Sequence, residues 1–104
     1  MDAISDRDLR VMRKRAGEAA AMMAALSHEA RLRVLCDLVG GERAAGELVR
    51  SSGLSQSALS QHLAKLREEG LVATRRDGQS ILYRIANADA ARIIGVLHNI
   101  YCKR

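Results

Sequence analysis

The chain has 104 residues, with 17 Lys and Arg against 12 Asp and Glu and a formal net charge of +5. That length allows one domain around a single core, and the basic balance points to a polyanionic partner without separating nucleic acid from an acidic membrane surface. Phe and Trp are absent and Tyr83 and Tyr101 are the only aromatic residues, so the stacking platforms that grip single strands are missing and duplex DNA stands ahead of single-stranded DNA or RNA.

Asp2, Asp6, Arg7, Asp8 and Arg10 precede any apolar run, which does not read as a secretory signal, and no stretch has the apolar length of a membrane span. A cytoplasmic protein with no membrane partner is expected. In that reducing setting, Cys36 and Cys102 are expected as free thiols, metal ligands or a redox pair rather than as a structural disulfide.

Ser5, with Asp8 three residues on, predicts a helix start close to a capping box, and the helix continues to about Leu26. Leu9, Met12, Ala16, Ala19, Met23 and Leu26 step by three and four, the spacing of a seam that docks on another helix or another subunit. Packing on the chain's own core would give the same pattern. Ser27 is expected to cap a second helix over residues 28–39, closed by Gly40 and Gly41. Leu32, Leu35, Cys36 and Val39 are assigned to its inner face, which places Cys36 at or near the interior. A third, shorter helix is expected over residues 44–51 on Leu48 and Val49.

Ser52, Gly53 and Leu54 then form a tight turn into a fourth helix, capped by Ser55 and ended by Gly70. Its Leu59, Leu63 and Leu66 make one buried face, and its opposite face opens with Gln56, Ser57, Ser60 and Gln61. Two helices joined by such a turn, the second polar at its start, form a helix-turn-helix, here over about 44–69. Two strands follow at 71–76 and 79–85, joined at Asp77 and Gly78, with Arg75 and Arg76 near the tip. A basic hairpin directly after a helix-turn-helix is a wing. Asn87 or Asp89 starts a last helix through Ile93, Ile94, Leu97, Ile100 and Tyr101 to Cys102, whose stripe suits the N-terminal seam. The expected fold is mainly α with a small β-hairpin, a single winged helix-turn-helix domain in the order ααααββα.

The four polar residues at the start of the fourth helix are the base-edge candidates, since Gln can bond adenine in two places and Ser serves several bases. Arg50, Lys65, Arg75 and Arg76 are expected on the DNA backbone, the wing arginines also reaching the minor groove. A solvated basic surface is the bland alternative for this cluster. His62 is placed with the DNA contacts through a phosphate, beside the equal reading of a structural histidine. His28 and His98 read as helix-end or surface groups. No Cys-x-x-Cys, phosphate loop, nucleophile elbow or paired catalytic carboxylates occur, so no enzyme and no cofactor are expected.

The run Ser-Gln-Ser-Ala-Leu-Ser-Gln-His-Leu at 55–63, Leu-Arg-Glu-Glu-Gly-Leu-Val at 66–72 and the wing Arg-Arg-Asp-Gly-Gln at 75–79 resemble the ArsR/SmtB family of winged-helix repressors, over about residues 20–102. The resemblance implies a homodimer through the first and last helices, operator DNA as partner, and release when an inducer is sensed. The Cys-x-Cys of arsenic and cadmium sensors is missing, as are the Asp-x-His and His-x-x-Glu pairs of zinc sensors on the last helix. Leu-Cys-Asp-Leu at 35–38 and Ile-Tyr-Cys at 100–102 are instead similar to the dithiol, persulfide-sensing branch of BigR- and SqrR-like repressors and to HlyU-type regulators. That likeness implies Cys36 and Cys102 as redox-sensing residues bridged by sulfur under a persulfide or polysulfide inducer. A metal-responsive repressor, a peroxide- or disulfide-responsive regulator and an anti-repressor are the alternatives.

Overall fold

Helix starts and stops follow the acceptors and glycines the chain supplies. In the computed structural model, which describes residues 4–102, α1 (Asp6–Leu26) begins at Ser5. The Ser5 hydroxyl accepts from the Asp8 N–H at 3.1 Å and the Asp8 carboxylate accepts from the Ser5 N–H at 3.4 Å, a capping box with aspartate in the usual glutamate position. Helix α2 (Glu29–Val39) is capped not by Ser27 but by His28, whose Nδ1 accepts from the Ala30 N–H at 3.1 Å. Ser27 serves the end of α1 instead. Its N–H and its hydroxyl both donate to the Ala24 carbonyl, one of the carbonyls a helix end leaves without a partner.

Helix α3 (Ala45–Ser52) and α4 (Gln56–Glu68) are joined at Gly53, whose φ of 75° lies where a side chain is strained. Ahead of α3, Arg43 and Ala44 form a two-residue strand, β1, which the sequence reading missed. It pairs antiparallel with β3 (Ser80–Ile85), which pairs in turn with β2 (Val72–Asp77). The sheet order is β1-β3-β2, so the observed element order is ααβααββα. The hairpin turn also sits one residue later than expected. Asp77 still pairs with Ser80, leaving Gly78 and Gln79 as the loop, with Gly78 at φ 63°. A positive φ at only the first central residue is the type II′ arrangement. Helix α5 (Ala88–Cys102) starts at Asn87, whose Oδ1 accepts from the Ala90 N–H at 2.9 Å.

The core lies where α2, α3, α4 and α5 meet the inner face of the sheet. Leu35, Val34, Leu48, Leu59, Leu66 and Ile94 are completely enclosed. Helix α2 turns Val34, Leu35 and Leu38 inward, which corrects the expected inner face: Cys36 is exposed and Val39 is 47 % exposed. Cys36 follows Leu35 by one residue, about 100° around the helix, enough to leave the buried stripe. The expected core face of α4, Leu59, Leu63 and Leu66, is buried throughout.

Helix α1 stands apart. Every residue from Asp6 to Ala21 is exposed, and only its last turns, through Met22, Ala25 and Leu26, join the core. The seam predicted on it is therefore open, with Leu9, Met12 and Met23 facing solvent. Helix α5 packs on α2, buries Ala90 and Ile94 in the core and leaves Val96, Ile100 and Tyr101 exposed. Among the described residues no helix is long and apolar enough to cross a membrane.

Candidate nucleic-acid interface and thiol pair

Helix α4 is presented by its caps. At its start the Ser55 hydroxyl accepts from the Ala58 N–H at 3.1 Å. At its end the Leu71 N–H donates to the Leu66 carbonyl at 2.9 Å and the Gly70 N–H to the Arg67 carbonyl at 3.0 Å, with Gly70 at φ 76°. These are the two bonds of a Schellman motif, and Leu66 and Leu71, both buried, supply its apolar contact. Leu71 then accepts from the Ala86 N–H at 2.9 Å, which joins the end of the helix to the base of the wing.

With the leucine face held inward, Gln56, Ser57, Ser60, Gln61 and Lys65 are all exposed. Steps of three and four place them along one outward side of α4. Arg50 is exposed on the last turn of α3, at an open hollow that also involves Asp37, Arg43, Glu47 and Ser51. Lys65 lies 3.9 Å from Glu69, whose same oxygen is 3.9 Å from Arg31 of α2. His62 differs from the other candidates. It is half-buried, its ring packs on that of His28, and its proton affinity is lowered first by desolvation and then by His28 and Arg31.

On the wing, Arg76 is exposed beside Ile81 of β3. Arg75 is exposed as well, but its guanidinium is taken by Glu42 through Nε at 3.0 and 2.8 Å and Nη2 at 2.8 Å. This partner was not foreseen. Glu42 and Arg75 are brought together only because β1 adds to the sheet beside β3, and β1 carries no strand signal of its own.

Cys36 of α2 and Cys102 in the last turn of α5 are both exposed and free, on neighbouring helices. Lys103 and Arg104, which follow Cys102 in the sequence and are the basic neighbours expected to stabilise its thiolate, lie outside the described residues. Partial desolvation, the Asp37 carboxylate and the charge of Cys102 raise the proton affinity of Cys36 above the ordinary thiol value. Beside Cys36 opens a hollow of about 280 Å³ lined by Glu29, Leu32, Arg33, Asp37 and Ser51. Among the described residues no group of three or more His, Cys, Asp or Glu is arranged to hold a metal ion.

Comparison with known proteins agrees with this geometry. Residues 28–74 match the family of bacterial regulatory proteins described as the arsR family. The HTH-type transcriptional regulator YgaV of Escherichia coli is 49% identical over 96 residues, covering 91% of this chain and 97% of that protein. The crystal structure of the transcriptional repressor BigR from Xylella fastidiosa superposes with a TM-score of 0.85 at 42% identity, covering 97% of this chain and 100% of that one. A homodimeric winged helix-turn-helix DNA-binding domain from Mycobacterium bovis, Mb0332, gives a TM-score of 0.71 at 31% identity over 99% of this chain and 92% of that one. With the helix-turn-helix, the wing and relatives that match it almost from end to end, this chain belongs to the arsR family of bacterial transcriptional regulators.

Proposed function

We propose that the protein is a cytoplasmic, homodimeric, sequence-specific repressor whose operator affinity falls when Cys36 and Cys102 react with a persulfide. The observation that carries the DNA-binding half is the uncharged polar side of α4, fully exposed between two well-made caps and flanked by basic residues of α3 and the wing. In this reading Gln56, Ser57, Ser60 and Gln61 meet base edges in the major groove, while Arg50, Lys65 and Arg76 meet phosphates, joined by Arg75 when it leaves Glu42. His62 supports α4 from behind, against His28. The open seams of α1 and α5 cover each other across the dimer, as the homodimeric relative suggests. The two recognition helices then address half-sites about 10 base pairs apart.

The sensing half is supported by two exposed, free thiols on adjacent helices and by the likeness to the dithiol branch. A thiolate of the pair attacks the outer sulfur of an organic persulfide, giving a protein persulfide and releasing a thiol. The second cysteine joins that sulfur in a bridge of three sulfurs. The two electrons pass to a second persulfide, which leaves as a thiol and hydrogen sulfide. Linking α2 to α5 changes how the two subunits present their recognition helices.

The test treats the reduced protein with an organic persulfide and, separately, with peroxide and with a disulfide, followed by intact mass and operator affinity. The expected result is an added-sulfur crosslink between Cys36 and Cys102, with DNA release, under persulfide alone. Unchanged affinity after complete modification, or an unaltered response in Cys36→Ser, overturns the sensing half. Loss of DNA affinity on stoichiometric zinc binding replaces it with metal sensing.

A further inference from the structure

Glu42 stands immediately before β1, and the register of the sheet brings it to Arg75. Ala44 of β1 pairs with Leu82 of β3, and Leu82 pairs with Arg75 of β2, so these side chains share one face of the sheet. Two residues before Ala44, Glu42 returns to that face. There its carboxylate accepts three hydrogen bonds from Arg75, at 2.8 to 3.0 Å, and it also feels the charge of Arg84. The guanidinium fork that grips it is the same fork that would grip a phosphate, because a carboxylate and a phosphate offer Arg similar pairs of oxygens. The Arg75 side chain remains 51% exposed, so it is within reach of a ligand but already taken. Arg76, the next residue on the strand, projects to the opposite face and escapes the pair.

We propose that Glu42 is a specificity-determining residue that competes with DNA phosphate for Arg75. While the pair holds, the wing contributes one cation fewer to the sequence-independent pull on any duplex, and discrimination is left to α4. A phosphate can take Arg75 only by displacing a charged acceptor, so the contact forms where the rest of the interface already holds the wing against the backbone. This rests on the DNA-binding reading above.

The test uses the full chain as wild type, Glu42→Gln and the double variant Glu42→Gln/Arg75→Ala. Binding is measured across a salt series on a random duplex and on an operator-length duplex selected by the wild-type protein from a random pool. Glu42→Gln is expected to bind the random duplex several-fold more tightly, with a salt slope steeper by about 0.9 per protomer, and to lose part of its preference for the selected duplex. The double variant is expected to lose that gain. Should Glu42→Gln lower the melting temperature, Glu42→Asp, which keeps the charge but shortens the arm, is expected to show a smaller gain of the same sign. Wild-type binding with an unmoved slope in Glu42→Gln, or a gain that survives in the double variant, overturns this role for Glu42. A wild type without salt-dependent duplex affinity overturns the DNA-binding reading as well.

Discussion

The rings of His28 and His62 pack with centroids 4.7 Å apart at an interplanar angle of 54°, so the residue that caps α2 also supports the recognition helix. The groups facing His62 are His28 and Arg31 of α2, with Glu69 of its own helix beyond Arg31. Desolvation, followed by the two bases, holds the His62 proton affinity below the ordinary histidine value of 6.5. The unfolded chain therefore binds more protons at this position, and stability falls as pH drops below that value toward the depressed one. Melting temperatures between pH 7.5 and 5.5 are expected to fall, and to fall less in His62→Gln. Equal slopes in both proteins would remove His62 from the acid response.

Desolvation first and the Asp37 carboxylate second push the Cys36 thiol above its ordinary value. Asp37→Asn removes the charge and retains an oxygen for the Ser51 hydroxyl, which bonds Asp37 at 2.7 Å. Alkylation of Cys36 at pH 7 is expected to be faster in Asp37→Asn than in wild type, because the thiolate is the nucleophile. Peptide mass mapping of the modified cysteine over time measures this, and an unchanged rate would remove Asp37 from the causes of the shift.

Base readout and backbone contact separate by substitution. Gln56→Ala or Ser60→Ala is expected to weaken specific binding by about 1 to 3 kcal/mol, and Arg76→Ala to weaken all duplexes more evenly with a shallower salt slope. Competition titrations at several salt concentrations distinguish these outcomes. Lost sequence preference with an intact salt slope in Arg76→Ala reverses the assignment.

Met12 and Met23 lie on the open seam of α1, 55% and 58% exposed, so charging them disturbs little inside one protomer. The double variant Met12→Glu/Met23→Glu is expected to sediment as a folded monomer at micromolar concentration and to bind operator at least about tenfold more weakly, since two half-sites are no longer engaged together. A dimer that persists would place the interface away from α1.

The parts of the fold legible in the sequence were those decided locally. Ser5 with Asp8, Gly53, Ser55 and Gly70 state their caps and turns in adjacent residues, and the spacing of Leu59, Leu63 and Leu66 assigns a face without reference to anything distant. Cys36 was misplaced because periodicity alone does not say where a buried stripe ends, and α2 closes its inner face at Leu35 and Leu38. Strand β1 was missed because Arg43 and Ala44 become a strand only by completing the free edge of β3. The Glu42–Arg75 pair was missed with it. At the candidate interface, the exposed side of α4 follows from its leucines, whereas the tilted contact of His62 with His28 depends on how α2 and α4 cross.

Leu71 gives its N–H to the end of α4 and its carbonyl oxygen to Ala86 at the far end of the wing. One residue is thus bonded to both DNA-directed elements. The end of α4 and the base of the wing are therefore tied by backbone hydrogen bonds that meet at a single residue. A signal arriving at α2 or α5 need turn only one of the two, and groove and backbone contacts would be withdrawn in a single movement.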